Sequence, residues 1–352
     1  MCIFSFITMA RTLGNKPGFH HLLTRFTISR RPLQTLAYEE LRHSADPEPC
    51  RATAFVLHGL LGSARNWRSF SRALLSNISD PSGHSSSLCS SSTGWRLVLV
   101  DLRNHGRSAE IEGLNPPHDL VNAAQDLAHL VKSQGWAWPD VVLGHSMGGK
   151  VALQFAESCA RGHYGGSAKL PKQAVVPFPD TIWLWVLDSV PGEVIRENSD
   201  GEVEKVLQTL QSLPSSIPSR KWLVDHMIEL GFSKSLSEWI GTNLKKQGDH
   251  ETWAFNLDGV VQMFKSYQEK SYWHLLEQPP KDMEIAVVRA ENSDRWDPDV
   301  IQRLGSLANW EGDGLEGKFS VHVLPKSGHW VHVDNPEGLL EIVAPRISSL
   351  RP

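Results

Sequence analysis

The chain predicts an α/β fold, a mostly parallel sheet with helices on both faces and a helical cap, and three observations carry that expectation. Short apolar runs, each the length of one buried strand, alternate with stretches of helical periodicity. One run, Val141-Val142-Leu143, passes straight into Gly144-His145-Ser146-Met147-Gly148 and then into a helix-forming stretch. Between Pro191 and about Pro280 the strand pattern stops and helical spacing takes over. The 352 residues are 40% hydrophobic and 21% charged, which suits one packed core with a cap.

The first 33 residues read differently from the rest. No Asp or Glu precedes Glu39, while Arg11, Lys16, Arg25, Arg30 and Arg31 are spread among Ser, Thr and apolar residues. That composition predicts a disordered organellar presequence over 1–33, mitochondrial or alternatively plastid. The core is then expected over 34–190 and 281–352, with the cap over 191–280.

Along the core, 34–41 is expected as a first strand and 52–57 as a buried one. A helix follows that starts near Ser63 or Asn66 and turns Trp67, Phe70, Leu74 and Leu75 inward. Residues 79–94 are rich in Ser and read as a surface insertion. Strand 95–100 leads into Asp101-Leu102-Arg103-Asn104-His105-Gly106-Arg107-Ser108, expected to be a charge-paired turn that supports the neighbouring loop. A helix over 119–134 is expected to bury Val121, Ala124, Leu127, Ala128 and Val131. A second insertion is read at 162–179, and 181–188 is a strand ending in Asp188. In the cap, helices are expected over 203–213, 220–230, 235–246 and 257–267, without strands. Strands over 283–289 and 319–324 and a helix over 336–347 close the core.

The pattern G-x-S-x-G between a strand and a helix fits a nucleophile elbow, which lifts the Ser146 hydroxyl above the carboxyl edge of the sheet. A serine hydroxyl needs a positioned base at neutral pH. Among sixteen histidines, His329 in Ser327-Gly328-His329-Trp330 is the best placed, because it follows the last strand. His332 is less well placed, and His145 reads as structural. Two backbone N–H groups are expected to face the developing oxyanion: Met147, directly after the serine, and Leu60, in His58-Gly59-Leu60 after the 52–57 strand. His58 is expected to brace that loop. The acid that orients the histidine stays open among Asp188, Asp294 and Asp258. Asp188 is favoured because it ends a strand on the active edge.

These motifs resemble the α/β-hydrolase superfamily over about residues 34–350. Matches are His58-Gly59-Leu60-Leu61-Gly62-Ser63, the Asp101 to Ser108 turn, the elbow, and Gly328-His329-Trp330-Val331-His332. Asn256-Leu257-Asp258 and the segment from His329 to Pro336 further resemble a group of mitochondrial esterases, the α/β-hydrolase domain-containing protein eleven group. The resemblance implies an eight-stranded sheet and ester or lipid hydrolysis by a Ser-His-Asp triad. It also implies Ser where other members carry the later Asp, which fits Ser293 and favours Asp188. Asp258, the Asp of Asn-Leu-Asp, is the other acid it suggests.

The expected function is hydrolysis of a carboxylic ester or thioester of a small acyl or lipid substrate. A ligand-binding or receptor-like protein with little turnover is the alternative. No cofactor is expected, and no His, Cys, Asp and Glu cluster has metal-ligand spacing. Cys2, Cys50, Cys89 and Cys159 show no paired spacing. A net charge of −4 and a pI near 6.5 give no electrostatic reason for a nucleic-acid partner. No segment is long and apolar enough for a membrane span. Monomer and dimer are left open. The cap aromatics Trp222, Trp239, Trp253, Phe255 and Phe264 are expected either to pack the cap or to shape an acyl pocket.

Overall fold

A computed structural model describes residues 22–25, 35–43, 52–79, 94–164, 182–194, 201–309 and 317–350. Both expected insertions, apart from their ends, lie outside these residues, and so does the expected disordered presequence except for Leu22–Arg25, which instead forms a strand paired with residues 40–43. In chain order the elements are β1 (Leu22–Arg25), β2 (Tyr38–His43), β3 (Ala52–Leu57), α1 (Arg68–Ser79), β4 (Trp95–Val100), α2 (Leu120–Gln134), β5 (Val141–His145), α3 (Met147–Ala160) and β6 (Ile182–Leu187). The cap follows, with α4 (Glu202–Ser212), α5 (Arg220–Glu229), α6 (Lys234–Gly241), β7 (Leu244–Gln247), β8 (His250–Trp253) and α7 (Leu257–Glu269). The chain then returns through α8 (Trp273–Glu277), β9 (Met283–Ala290), α9 (Pro298–Ala308), β10 (Lys318–Leu324), α10 (Val331–Asp334) and α11 (Pro336–Ser349).

Eight strands form one sheet in the order β1-β2-β4-β3-β5-β6-β9-β10. Only the β1–β2 and β2–β4 pairs are antiparallel; from β4 to β10 every pair is parallel. Such strands need helical crossovers, and those helices cover both faces. This is why β3, β5 and β6 read as near-continuous apolar runs: every residue in them is buried. The pleat sorts them. Phe55 and Leu57 pack with α2 and α3 on one face, and Ala54 and Val56 pack with α1 and α11 on the other. The order reverses around β3, which has β4 on one side and β5 on the other. Loops leaving the carboxyl ends of β3 and β5 therefore meet in a crevice.

Two local readings change. Helix α2 is capped by the Asp119 carboxylate, which accepts the Asn122 N–H at 2.7 Å, but Val121 is 42% exposed. The buried stripe runs instead through Leu120, Ala123, Ala124, Leu127, Ala128 and Val131. Adjacent residues on a helix point about 100° apart, so the stripe that holds Leu120 turns Val121 to solvent. In the cap, the helix expected over 235–246 ends at Gly241 and a hairpin, β7–β8, replaces its last turn. Gln247 pairs with His250, leaving Gly248-Asp249 as a two-residue turn with Gly248 at φ +67°. Positive φ is cheap only for glycine, and a Gly-Asp pair between short runs is a hairpin signal that outweighs the weak helical spacing of Leu244 and Lys245.

The cap has its own apolar centre, including Leu207, Leu210, Leu223, Met227, Ile240 and Val260. It is tied to the elbow helix by Lys150, whose side chain is fully buried. Its Nζ donates to the carbonyls of Gly192 (2.6 Å), Tyr267 (2.6 Å) and Lys270 (2.8 Å). The last two close the carboxyl end of α7, where a cation is favoured. Burial pushes the ammonium down to about 7.

Candidate active site

The turn between β5 and α3 holds Ser146 at φ 53° and ψ −121°, a conformation non-glycine residues rarely adopt. Two glycines make the turn possible. A Cβ on Gly148 would lie 2.5 Å from the carbonyl oxygen of His58 and 2.6 Å from that of Leu57. A Cβ on Gly144 would lie 2.2 Å from the Gly148 carbonyl oxygen. Because the first of these contacts is with two backbone carbonyls, Gly148→Ala is expected to destabilise the fold by about 3 kcal/mol or more. Gly305→Ala, in a helix with nothing within 4 Å of the added atom, is expected to stabilise it by about 0.5–1 kcal/mol. Urea unfolding midpoints of the two variants check the contrast.

The structure brings one of the three expected acids to His329. The imidazole Nδ1–H donates to Asp188 Oδ2 at 2.7 Å. Asp188, at φ 43° beyond β6, is fully buried. Its carboxylate accepts three further bonds: Ala290 N–H to Oδ1 at 2.9 Å, Trp296 Nε1–H to Oδ1 at 2.6 Å, and Ser293 Oγ–H to Oδ2 at 2.7 Å. Burial alone pushes this carboxyl up. The hydrogen bond and charge of His329, with the bonds from Ser293 and Trp296, outweigh it and hold Asp188 below the usual carboxylate range. His329 is itself held below the usual imidazole range, first by burial and then by the Arg295 guanidinium, against the pull of Asp188. Neutral, with Nδ1 carrying the proton toward Asp188, the ring keeps a lone pair on Nε2.

Among the described residues, neither Asp294 nor Asp258 bonds to His329. Asp294 is an exposed residue at the cavity. Asp258 sits in the first turn of α7. Ser293, singled out only for standing where another acid often falls, anchors Asp188. The part played by Trp296 has no local signal in the sequence, because its indole N–H meets a carboxylate 108 positions earlier in the chain.

The loop after β3 is braced by two neutral histidines whose rings lie 5.1 Å apart. His58 Nδ1–H donates to the Gly59 carbonyl at 2.8 Å, and its Nε2 accepts Leu102 N–H at 3.0 Å. His105 Nδ1–H donates to the Arg103 carbonyl at 2.8 Å, and its Nε2 accepts Leu61 N–H at 3.1 Å. Asp101 accepts the N–H groups of Ala64 and Arg107 at 2.8 and 3.1 Å, and Arg103 pairs with Asp126 at 2.6 Å. The Asp101 to Ser108 turn thus supports the loop. Leu60 and Met147 both line the cavity beside Ser146. Met147 opens α3, so its N–H is one that a helix leaves without an internal acceptor. Among the described residues neither N–H donates a backbone hydrogen bond.

His145 donates from Nε2 to the His329 carbonyl at 2.7 Å and holds the backbone of His329. His332 stacks on Trp67, with ring centroids 4.1 Å apart. Burial holds His58 at about 4 and His105 at about 3. Unfolded histidine binds its proton near pH 6.5, so the unfolded chain takes up protons that the folded one refuses. Stability from these groups is present above pH 6.5 and lost as pH falls toward 4, by roughly 3 kcal/mol for His58. Urea midpoints measured from pH 7 to pH 4 check this. His58→Gln, whose amide can serve both partners without titrating, should flatten the dependence.

A cavity of about 530 Å³ opens over Ser146 and His329, walled by Leu60, Val206, Leu236, Trp239, Phe264 and Trp330. Of the five cap aromatics, Trp239 and Phe264 reach it. Phe255 is buried in the cap with Trp253 stacked on it, and Trp222 stacks on His226. Among the described residues no group of three His, Cys, Asp or Glu side chains is arranged to hold a metal ion, and no helix is long and apolar enough to cross a membrane.

Sheet, cap and elbow define an α/β-hydrolase architecture. The chain belongs to the alpha/beta hydrolase family, which it matches over residues 54–342. It is similar to the mouse sn-1-specific diacylglycerol lipase ABHD11, 25% identical over 293 residues that cover 82% of this chain and 78% of that one. It is also similar to human protein phosphatase methylesterase 1, 27% identical over 321 residues, or 82% and 74% of the two chains. A marine microorganism esterase shares the fold with a TM-score of 0.64 at 20% identity, covering 88% and 98%. Fold and relatives point to a hydrolase or esterase-type enzyme.

Proposed function

We propose that the chain is a serine hydrolase that cleaves a carboxylic ester or thioester of a small acyl or lipid substrate through an acyl-enzyme. The observation that carries this reading is the 2.7 Å bond from His329 to the buried Asp188, with His329 and Ser146, in its strained elbow, lining one cavity. Ser146 Oγ attacks the acyl carbonyl while His329 Nε2 takes its proton. Asp188 keeps the imidazole oriented and stabilises its charged form. The carbonyl oxygen, now negative, lies against the N–H groups of Leu60 and Met147. Collapse expels the alcohol or thiol, protonated by His329 Nε2. Water then attacks the acyl-enzyme, giving a proton to His329, and the acid leaves as Ser146 regains it.

The apolar walls suit an acyl chain, and similarity to a diacylglycerol lipase supports a place near the ABHD11 enzymes. Release of p-nitrophenol from p-nitrophenyl butyrate should run linearly far beyond one equivalent per chain. A burst of one equivalent that then stops would instead make the protein a ligand binder with a live serine. The acid-free, arginine-bearing composition of residues 1–33 supports import into mitochondria, with plastids as the alternative. A fluorescent reporter fused behind residues 1–33 that stays in the cytosol would overturn this.

A further inference from the structure

We infer that Arg295 is an anion-recognition residue of this cavity, so that the preferred ester carries a carboxylate or phosphate group. The inference rests on the hydrolase reading for its reaction, and on geometry for its ligand. Arg295 lines the cavity together with Ser146 and His329, where it is the one permanently cationic side chain among the lining residues. It sits on the loop after β9, between Ser293 and Trp296. Both of these are bonded to the Asp188 carboxylate, at 2.7 and 2.6 Å. The clamp that holds Asp188 therefore also holds the backbone of Arg295.

Among the described residues the guanidinium forms neither an ion pair nor a hydrogen bond, and its Nε is buried without a partner. Other arginines near the site are paired: Arg103 with Asp126 at 2.6 Å and Arg107 with Asp101 at 3.6 Å. The acids around the cavity do not neutralise it. Asp334 accepts the Gly328 N–H at 3.0 Å, Glu202 has its own interaction, and Asp294 is exposed. A buried, unpaired N–H of a charged group is costly and is rare without a purpose. Its positive charge already acts on His329, His145 and Tyr267, which places it next to the reacting centre. A planar guanidinium matches the paired oxygens of a carboxylate or phosphate better than any other side chain.

The test uses matched esters on the full chain and on Arg295→Gln and Arg295→Lys. One pair is p-nitrophenyl butyrate against the p-nitrophenyl monoester of glutaric acid, which places the anion on the acyl side. The other is 1-butyrylglycerol against 1-butyrylglycerol 3-phosphate, which places it on the alcohol side. In one of the pairs the wild type should favour the anionic member in kcat/KM. Arg295→Gln should cut that preference ten- to a hundredfold, chiefly through KM, and Arg295→Lys should restore part of it. Preferences that stay within threefold of wild type in both pairs would overturn the inference while leaving ester hydrolysis standing. Calorimetric titration of Ser146→Ala with glutarate and with glycerol 3-phosphate separates the two readings. Binding that disappears in Ser146→Ala/Arg295→Gln supports the anion site even if no ester is turned over. Absence of binding of either anion to Ser146→Ala would overturn it.

Discussion

Ser146→Ala is expected to lower kcat for p-nitrophenyl butyrate by on the order of 10⁶-fold, the loss typical of deleting a serine nucleophile. The fold should survive. Alanine has the same Cβ as serine, so the strained φ of 53° at this position costs it no more. Steady-state turnover and a thermal unfolding curve, measured together, check both halves. A variant that still turns over at a hundredth of the wild-type rate would mean that the hydroxyl is not the nucleophile. Reaction with a fluorophosphonate should vanish in the same variant, because the N–H groups of Leu60 and Met147 stabilise charge but form no bond.

Asp188→Asn should reduce kcat by about 10⁴-fold. The substitution changes one atom, yet it reverses a donor pattern. Oδ2 accepts from both His329 Nδ1 and Ser293 Oγ, and Oδ1 accepts from Trp296 Nε1 and Ala290 N–H. An amide offers only one accepting oxygen. Two N–H donors demand it at the Oδ1 position, so the NH₂ group faces His329. The imidazole then has to carry its proton on Nε2, where it can no longer accept one from Ser146. Asp294→Asn, at an exposed position, should leave kcat within about threefold, since this carboxylate acts on His329 only through its charge. An Asp294→Asn variant that loses activity as Asp188→Asn does would sink the assignment of the acid. The pH profile adds a direction. His329 must be neutral to act as base, so kcat/KM rises with pH through its pKa, below the ordinary imidazole value because of burial and Arg295.

Much of this molecule was legible in the sequence because it is encoded in short-range spacing. Strands β3 and β4 could be bounded to the residue, since strands buried on both faces are near-continuous apolar runs, broken here only by Thr53 and Arg96. The elbow was legible for a related reason: the chain must turn sharply between β5 and α3, and at position 148 only glycine clears the carbonyls of Leu57 and His58. The last strand followed by Gly328-His329 marked the histidine by chain order alone. Less legible were places where two local rules compete. Val121 lies one position off the buried stripe of a helix whose apolar residues are dense on neighbouring positions. The β7–β8 hairpin hides behind a helical spacing that Gly248-Asp249 interrupts.

The sequence by itself determined the class of fold and marked the candidate serine and histidine, because each is written into a handful of consecutive residues and the backbone geometry they enforce. Which carboxylate meets the histidine was decided only in three dimensions. Asp188 follows β6, Asp294 lies in the loop after β9 and Asp258 opens a cap helix, so each has a local pattern that suits an acid and none of those patterns settles the choice. The pairing joins residues 141 positions apart, across a parallel sheet whose neighbouring strands are far apart in the chain. The same long-range assembly brings Ser293 and Trp296 onto Asp188 and leaves Arg295 facing the cavity between them. No run of residues records that arrangement, because what selects it is the closing of β6, β9 and β10 side by side.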